Sequence, residues 1–263
     1  MGRNKQWVLG LGLVGLLAVP LVAQSALLLR TIDGVDLYYD DVLDITWHGN
    51  ANLAATETFG LTQSTNVFPA AGEVGSTGRM NWFTANAWIA GMNTANYLGF
   101  NDWRLPILSP IDGTSVFNND FSNNATTDRG NADADGWVDG SGTPVSEMGH
   151  MFYVNLGNLG FCTPNDSSPG SCVEQTGFGL VNTGPFSNVQ TISYWSGTEL
   201  SASNAWLFSF NNGLQDFNVK GVSLFAWAVR SGDVSAAAVP APGVLGLFGI
   251  GLLGLLGAVR KRR

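Results

Sequence analysis

The order of apolar and polar positions divides the chain into two apolar ends and an aromatic-rich middle. Residues 7–22, WVLGLGLVGLLAVPLV, and residues 244–259, VLGLFGIGLLGLLGAV, contain no charged side chain. Between these ends, short β-branched and aromatic runs alternate with clusters of Asn, Asp, Gly and Ser, a pattern typical of strands separated by turns. Because no fixed-period repeat and no clear linker interrupts residues 27–235, we expect one folded domain there.

Two segments have the spacing of amphipathic helices. In NWFTANAWIAGMNTAN, residues 81–96, apolar side chains recur at intervals of three and four after Asn81, a preferred N-cap residue. These side chains are Trp82, Ala85, Trp88, Ile89 and Met92. The segment DWRLP follows, and its proline, Pro106, stops any helix. The segment SEMGHMFYVNLGNL, residues 146–159, predicts a second helix that begins at Ser146.

The remaining apolar runs predict strands. Residues 35–47, VDLYYDDVLDITW, carry β-branched and aromatic side chains on both sides of an Asp-Asp pair, which favours a short hairpin. The last third contains four more candidates, SYWSG, NAWLFSF, LQDFNV and SLFAWAVR, with Asn211-Asn212-Gly213 as a hairpin turn. Helices that come first and an antiparallel aromatic sheet that comes last predict an α+β fold with two helices.

The first 25 residues have the pattern of a secretory signal peptide. MGRNKQ supplies a positive start, residues 7–22 an apolar stretch, and AQSA the small residues that precede a signal peptidase site. We expect signal peptidase to cleave after Ser25 or one residue later. The alternative is an uncleaved anchor helix, which the small residues at its end disfavour. The sequence therefore predicts export from the cytoplasm.

Charge is distributed unevenly along the chain. There are 12 Lys and Arg against 20 Asp and Glu, and half of the basic residues lie in the two ends. All the acidic residues lie between the ends, so the middle is strongly acidic. Such a surface repels phosphate backbones, which argues against nucleic acid as a partner. The aromatic content of 11% argues against a disordered chain.

Two cysteines, Cys162 and Cys172, flank a segment rich in Pro, Gly, Asn and Ser. In an oxidising compartment such a pair closes a surface loop through a disulfide. A loop of this size adds about 2–3 kcal/mol to the free energy of unfolding by chain-entropy arithmetic. A zinc site is the alternative, but the segment contains no histidine to complete a ligand set. We therefore predict the disulfide.

The last 28 residues, 236–263, combine a proline pair, an apolar run and a basic end. At about 1.5 Å per residue, residues 244–259 extend about 24 Å as a helix, less than the roughly 30 Å of a bilayer core. Five glycines weaken this helix further. The basic end, which favours the cytoplasmic side, consists of Arg260, Lys261, Arg262 and Arg263. These features alone predict a weak stop-transfer segment after a linker of small residues.

The same tail resembles the PEP-CTERM sorting signal of Gram-negative bacteria. The resemblance rests on a proline motif, a glycine-rich apolar helix and a terminal arginine cluster, in that order. The motif reads Val239, Pro240, Ala241 and Pro242, so alanine replaces the glutamate that is usual between the prolines. The resemblance implies transient insertion into the inner membrane and removal of the tail by an exosortase. The protein would then reach the cell surface or the extracellular space.

A series of landmarks in the middle of the chain resembles the Lcl C-terminal-type domain of bacterial surface proteins. In order they are YYDDVLDITW, NWFTANAWI, DWRLP, SEMGHMFYVNLGNLG, NTGPFSN, YWSGTE, NAWLFSFNNG and FAWAVRSGDV. Single elements are weak signals, but eight in order are specific, and they cover most of residues 33–234. The resemblance implies a C-type-lectin-like fold for residues 26–235 and no enzymatic activity. Related domains on adhesins bind sulfated glycans, a property that does not follow for every member.

Residues able to carry catalysis are few. His48 and His150 are the only histidines, and neither lies in a metal or triad motif. For His150, on an amphipathic segment, a core or surface position is favoured over general-base catalysis, which needs a poised partner. The pair Asp40-Asp41 has the residue types of a glycosidase, but paired acids are common in exposed turns. We expect no enzymatic activity.

The segment NADADGWVDGSG, residues 131–142, has the spacing of a calcium loop, because oxygen donors alternate as at the early positions of an EF-hand-type loop. The candidate donors are Asn131, Asp133, Asp135, the carbonyl of Trp137, and Asp139. The acid that usually closes such a loop is absent, because its position is Gly142. The alternative is a solvated turn rich in Asx residues. Both interpretations stay open at this point.

Eight of the nine tryptophans lie in the middle of the chain, and aromatic faces stack on sugar rings. Most of them occupy helical or strand positions and are expected in the core. Trp137 is the exception, since it lies in a polar loop where it would be available to contact a carbohydrate. An anionic glycan would meet a negative surface, so its binding would need calcium or a basic spot such as Arg104 with Arg129.

Three classes of function follow from these observations. The first, which we expect, is an exported non-enzymatic protein of the cell surface or the extracellular matrix. The second is a calcium-assisted adhesin module that binds extracellular polysaccharide. The third, a secreted hydrolase, is disfavoured because no activated nucleophile and no poised acid pair is recognisable.

Overall fold

The computed structural model describes residues 27–164 and 172–234. The predicted signal peptide, residues 1–25, lies outside the described residues. The predicted sorting tail, residues 236–263, with its proline motif at 239–242 and its basic end at 260–263, also lies outside them. The described fold is that of the aromatic-rich middle.

The first sheet joins the beginning and the end of the described chain. Its strands, in spatial order, are β1 (Leu27–Ile32), β2 (Val35–Asp40), β3 (Ile45–His48) and β11 (Val229–Ser231). All neighbours are antiparallel. Strands β2 and β3 form the hairpin predicted for residues 35–47, which is confirmed. Trp47 faces Tyr38 across one ladder and Val229 across the other, so the hairpin also anchors the last strand.

The second sheet contains most of the strands predicted for the last third. Its spatial order is β6 (Phe121–Ser122), β7 (Arg129–Gly130), β10 (Leu214–Val219), β9 (Asn204–Ser209) and β8 (Ser193–Glu199). Neighbours are antiparallel except β6 and β7, which run parallel. The predicted turn lies between β9 and β10. A separate parallel pair consists of β4 (Thr62–Gln63) and β5 (Glu73–Val74).

One strand prediction holds only in part. The run SLFAWAVR is regular only from Val229, where β11 begins. Before that point Leu224 and Phe225 make isolated bridges to Met80 and Tyr194, which connect the run to two different parts of the fold. The apolar run is buried because it crosses between the two sheets.

Both predicted helices are present, and with the two sheets they confirm the α+β class. Helix α1 (Trp82–Thr94) begins after Asn81, whose side chain accepts a hydrogen bond from the Thr84 N–H at 2.8 Å. The five apolar side chains predicted to form its buried face are all buried. Helix α2 (Glu147–Gly149) begins after Ser146 and continues as a π-helix, His150–Asn155. Single 3₁₀ turns occur at Leu53–Ala55 and Tyr97–Gly99.

Buried side chains form two clusters. The first packs α1 against the second sheet and includes Trp88, Trp103 and Trp195. The second packs the π-helix between the two sheets, and its aromatic side chains include Trp47, Trp137, Phe152, Phe208 and Trp227. All eight described tryptophans are at most 8% exposed, so the aromatic residues of this chain are its core.

The segment between α1 and α2 has little regular structure and is held by side-chain hydrogen bonds. The Asp128 carboxylate accepts hydrogen bonds from the N–H groups of Ile111 and Asn118, both at 2.7 Å. Gln215 on β10 donates to the Asp128 carbonyl and accepts from the Ser146 hydroxyl, at 2.7 and 2.6 Å. These bonds fasten the irregular segment to the second sheet.

The predicted disulfide between Cys162 and Cys172 is confirmed, with their Cα atoms 4.9 Å apart. Cys162 is buried, and the main chain on either side pairs as an isolated bridge between Cys162 and Glu174. The Gln175 side chain donates to the carbonyls of Gly160 and Cys162. The disulfide therefore closes a loop whose base is also held by hydrogen bonds.

Candidate binding pocket

A pocket of about 300 Å³ opens where three distant segments meet. These are the turn after β2, the loop that contains the predicted calcium donors, and the beginning of the π-helix. The pocket is lined by Val42, Asp135, Val138, Gly142, Pro144, His150 and Val154. Its volume lies at the lower end of the range for small-molecule sites. Its walls are largely aliphatic, and its polar side chains are a carboxylate and an imidazole.

Asp40 lies behind the pocket, at the buried end of β2. One carboxylate oxygen, Oδ1, accepts hydrogen bonds from the N–H groups of Val42 and Leu43 at 3.0 and 3.1 Å, which shapes the turn. The other, Oδ2, accepts from the Asn155 amide at 2.6 Å and lies 3.8 Å from His150 Nε2. The carboxylate therefore fixes both the turn and the π-helix at the two sides of the pocket.

His150 is the least satisfied polar side chain of the pocket. Only 4% of the residue is exposed, yet neither ring nitrogen has a hydrogen-bond partner among the described residues. Burial lowers the pKa of the imidazole, and the nearby carboxylates of Asp40 and Asp41 offset this only in part. This shift favours the neutral imidazole, which has one N–H donor and one acceptor nitrogen.

Two strong contacts hold the helix that carries His150. The Ser146 hydroxyl accepts a hydrogen bond from the Gly149 N–H at 3.0 Å, which caps the first turn. Glu147 forms a bidentate ion pair with Arg104, with both N–O distances at 2.7 Å. Its carboxylate also accepts a hydrogen bond from the Ile107 N–H. Because the helix start is fixed on two sides, the imidazole is held in a defined position.

The predicted calcium donors are engaged in other contacts. Asn131 is buried and donates to the Asn212 carbonyl at 2.9 Å, and the Trp137 carbonyl accepts from the Val145 N–H at 2.9 Å. Asp139 Oδ1 accepts from the Ser141 hydroxyl and from the N–H groups of Ser141 and Thr143, which lowers the pKa of its carboxyl. These bonds are those of an Asx-rich turn.

The loop as a whole does not provide a coordination shell. Asp133 accepts from the Asp135 N–H at 3.1 Å, while Asp135 itself lines the pocket. Within residues 27–164 and 172–234 there is no group of three or more His, Cys, Asp or Glu side chains placed to hold a metal ion. The geometry thus favours the turn over the calcium loop, and calcium binding itself stays a prediction.

The residues proposed for direct ligand contact are not available for it. Trp137 is 1% exposed, and its indole N–H donates to the Thr127 carbonyl at 3.0 Å, so the predicted exposed position is wrong. The physical reason is that the polar loop packs on the aromatic core, where the indole of Trp137 contacts Tyr153 and Phe208. Arg104 pairs with Glu147, and Arg129 pairs with Asp216 at 2.7 Å, so neither supplies an unpaired positive charge.

This pairing extends to nearly every cation of the described chain. Ion pairs at 2.7–3.1 Å join Arg30 to Asp233, Arg104 to Glu147, Arg129 to Asp216, Lys220 to Glu199 and Arg230 to Asp102. Arg79 instead lies over the rings of Phe68 and Phe225. The part of the chain that the structure describes therefore offers little positive surface to an anionic ligand.

A second, smaller pocket of about 230 Å³ lies beside the first sheet. His48 lines it, and burial lowers the pKa of that imidazole as well. In contrast to His150, His48 has partners: Nδ1 lies 3.1 Å from the Asn50 N–H group, and Nε2 lies 3.4 Å from the Tyr97 hydroxyl. We therefore regard the His150 pocket as the principal candidate site.

Sequence reasoning assigned His150 to a core or surface position and Asp40 to an exposed turn. The structure contradicts the second assignment, because Asp40 is fully buried. The sequence did place His150 on the apolar face of the segment that begins at Ser146. It could not indicate that Asp40, 110 positions earlier, lies next to this histidine.

Fold and site together define an α+β domain with an aromatic core, an acidic surface and a small pocket. The family model of the Lcl C-terminal domain matches residues 36–230, and the chain belongs to this family. The match covers the eight landmarks except the last four residues of FAWAVRSGDV. No curated protein and no solved structure matched the chain. In the described ranges, neither helix has the length and apolar character needed to cross a bilayer.

Proposed function

We propose that this protein is an exported, non-enzymatic protein of the cell surface or extracellular matrix, whose Lcl C-terminal domain has a C-type-lectin-like fold. The observation that carries the proposal is the family match over residues 36–230, flanked by a signal-peptide pattern and a sorting-tail pattern. Signal peptidase removes the first segment. An exosortase removes the tail after a transient stay in the inner membrane.

The disulfide supports an exported location. Structural disulfides persist in oxidising compartments and are rare in the cytosol. Both cysteines of the chain take part in it. The acidic surface with its paired cations further supports a role away from nucleic acid.

The pocket supports a binding role over a catalytic one. Nucleophilic catalysis needs a hydroxyl or thiol within hydrogen-bond reach of an activating base. Among the described residues, His150 makes no such contact, and the cysteines are joined to each other. The pocket residues therefore favour binding over nucleophilic catalysis.

Mass spectrometry of the exported protein tests the proposal. We expect the mature N-terminus at Ala26 or next to it, and a C-terminus at or before the proline motif. In a strain that lacks the exosortase the tail should stay intact. An intact C-terminus in the wild-type strain contradicts the sorting proposal.

A matched pair of variants locates the processing signal. The double change Pro240→Ala with Pro242→Ala should retain the tail. Ala236→Ser, in the adjacent linker, should be processed like the parent chain. Equal processing of all three proteins would show that the proline motif is not the signal.

A further inference from the structure

The two ring nitrogens of His150, a residue that lines the pocket, lack hydrogen-bond partners among the described residues. At least nine in ten buried polar groups in folded proteins have a hydrogen-bond partner, because leaving one unpaired costs about 1–3 kcal/mol. Here both ring nitrogens are buried and unpaired among the described residues, and His150 is one of the residues that line a pocket of about 300 Å³. A group that enters the pocket and bonds to the ring removes this cost.

The surroundings of the ring decide which kind of bond it offers. Nε2 lies 3.8 Å from the buried Asp40 carboxylate, and this nearby acceptor favours the tautomer that carries its N–H on Nε2. The other nitrogen, Nδ1, then carries the lone pair. The imidazole is thereby an acceptor toward a ligand, and the ligand must bring a donor.

The charges around the pocket determine whether a positively or a negatively charged ligand is favoured. Asp135 lines the pocket, and Asp40 and Asp41 lie close enough to act electrostatically on the His150 ring. The lining contains no Lys or Arg. A carboxylate, sulfate or phosphate would be repelled here, whereas an ammonium group would be attracted.

The remaining lining is aliphatic and matches a hydrocarbon chain. The walls are formed by Val42, Val138, Pro144 and Val154. Val42 is 48% exposed, so a hydrocarbon chain in the pocket would cover apolar surface. Burial of methylene groups against these side chains is favourable at about 0.8 kcal/mol for each buried CH₂. A head group that only donates and an aliphatic stem are the two parts of a primary alkylammonium ion.

We propose that this pocket binds a primary alkylammonium group, with the ammonium between the Asp135 carboxylate and the His150 ring and the methylene chain along Val138 and Val154. This inference deepens the proposed binding role of the domain by naming a ligand class, and it is independent of export and tail processing. The same chemistry occurs in a free aliphatic amine and in a lysine side chain.

Calorimetric titration of the purified exported protein at pH 7.5 tests the inference with four probes. We expect n-butylamine to bind with a dissociation constant in the millimolar range, as its size allows. n-Butanol should bind at least tenfold more weakly, and butyrate should show no heat of binding. The fourth probe, Nα-acetyl-lysine methylamide, distinguishes the sources, since tighter binding than butylamine indicates a lysine side chain.

Three variants locate the site. Asp135→Asn should weaken butylamine binding about fivefold, as expected for the loss of one partly exposed charge partner. His150→Leu should weaken it at least tenfold, and a melting curve shows whether this variant is folded. Asp120→Asn, which removes an exposed carboxylate outside the pocket, is the matched control and should bind like the parent protein.

The outcomes separate clearly. Equal binding of butanol and butylamine, or butylamine binding that Asp135→Asn leaves unchanged, overturns the proposal. Calcium binding that Asp135→Asn abolishes, without any butylamine binding, also overturns it and returns the loop to the calcium interpretation. An unprocessed tail would count against the sorting proposal alone, because the titration does not depend on it.

Discussion

At the scale of single residues, the buried polar side chains fall into satisfied and unsatisfied groups. Asp128 accepts two main-chain hydrogen bonds, and burial nevertheless raises the pKa of its carboxyl. Tyr153 donates to the Gly213 carbonyl, and burial raises the pKa of its hydroxyl to about 12. His150 has no such partner among the described residues. Satisfied groups of this kind organise loops, and the unsatisfied His150 ring is the group for which we propose a ligand.

Asp128 should be a large contributor to stability. The substitution Asp128→Asn turns one acceptor oxygen into an amide that faces a main-chain N–H group. We expect the free energy of unfolding, measured by urea denaturation, to fall by about 1–3 kcal/mol. The control Asp120→Asn, on the exposed part of the same segment, should change it by less than about 0.5 kcal/mol. Similar losses for the two variants would refute the role given to Asp128.

The two histidines predict acid sensitivity. Burial lowers the pKa of His48 and His150 below the ordinary value of 6.5. Unfolding restores that value, so the unfolded chain binds more protons as the pH falls, and folding stability is lost. We expect the melting temperature to fall between pH 7.5 and 5.5, and to fall less in His150→Leu. Asp128 acts in the opposite direction, because its pKa is raised from 3.8 and the folded chain therefore binds that proton more readily than the unfolded chain.

A melting temperature that rises or stays constant over this pH interval would contradict the assignment. So would an unchanged pH dependence in His150→Leu, since that variant lacks one of the two titrating groups.

At the scale of elements, side-chain caps decide where the helices begin. Asn81 caps α1 through the Thr84 N–H, and Ser146 caps α2 through the Gly149 N–H. Helix α1 has no acidic residue in its first turn, whereas Glu147 in the first turn of α2 also holds the helix start through its ion pair with Arg104. The second helix widens into a π-helix where His150 enters the pocket, and π-helical turns are frequent at functional sites.

The cap of α1 gives a direct test at this scale. Asn81→Ala removes the acceptor of the Thr84 N–H, and we expect a loss of about 1 kcal/mol in the free energy of unfolding. Asn81→Ser retains an acceptor and should recover most of the loss. Chemical denaturation of both variants measures the difference, and equal stability of the alanine and serine variants would argue against the cap.

At the scale of the whole molecule, the ends of the described chain stabilise each other. Strand β11 pairs with β3, and Val229 also exchanges main-chain hydrogen bonds with Arg104 at 2.8 and 2.9 Å. Arg30 near the beginning pairs with Asp233 near the end at 2.7 Å. The Arg30–Asp233 pair joins residues 203 positions apart, so the two ends of the described chain meet at the first sheet.

Removal of the last strand should therefore unfold the domain. A chain that ends at residue 228 lacks β11 and the Arg230–Asp102 ion pair. We expect it to lose cooperative thermal unfolding and its near-ultraviolet circular dichroism. A chain that ends at residue 234 is the control and should retain both. Cooperative unfolding of the shorter chain would show that β11 is dispensable.

Much of the fold could be predicted because its signals are local. The α1 cap and apolar face, the hairpin at residues 35–47 and the strands that became β8, β9 and β10 each depend on neighbouring residues. The disulfide followed from composition and spacing. Strand β1 was not predicted, because its residues, LLLRTI, directly follow the apolar leader and have a partly exposed pattern.

The site could be predicted only in part. The loop at residues 131–142 was recognised, and Asp135 does line the pocket. Its interpretation as a calcium shell relied on spacing alone, whereas the direction of each oxygen depends on contacts with Asn212 and Val145. The exposure expected of Trp137 failed for the same reason, since burial depends on what packs over a residue.

The sequence by itself determined the class of the fold, the start of both helices, the disulfide and the membership indicated by eight ordered landmarks. Only the tertiary structure decided that Asp40 lies 3.8 Å from His150, that Arg104 and Arg129 are neutralised, and that an indole from a polar loop is buried. The physical reason is the separation along the chain of the residues that interact. Caps, turns and periodic faces are set by residues within a few positions, whereas pockets and ion pairs are set by segments that only folding brings together.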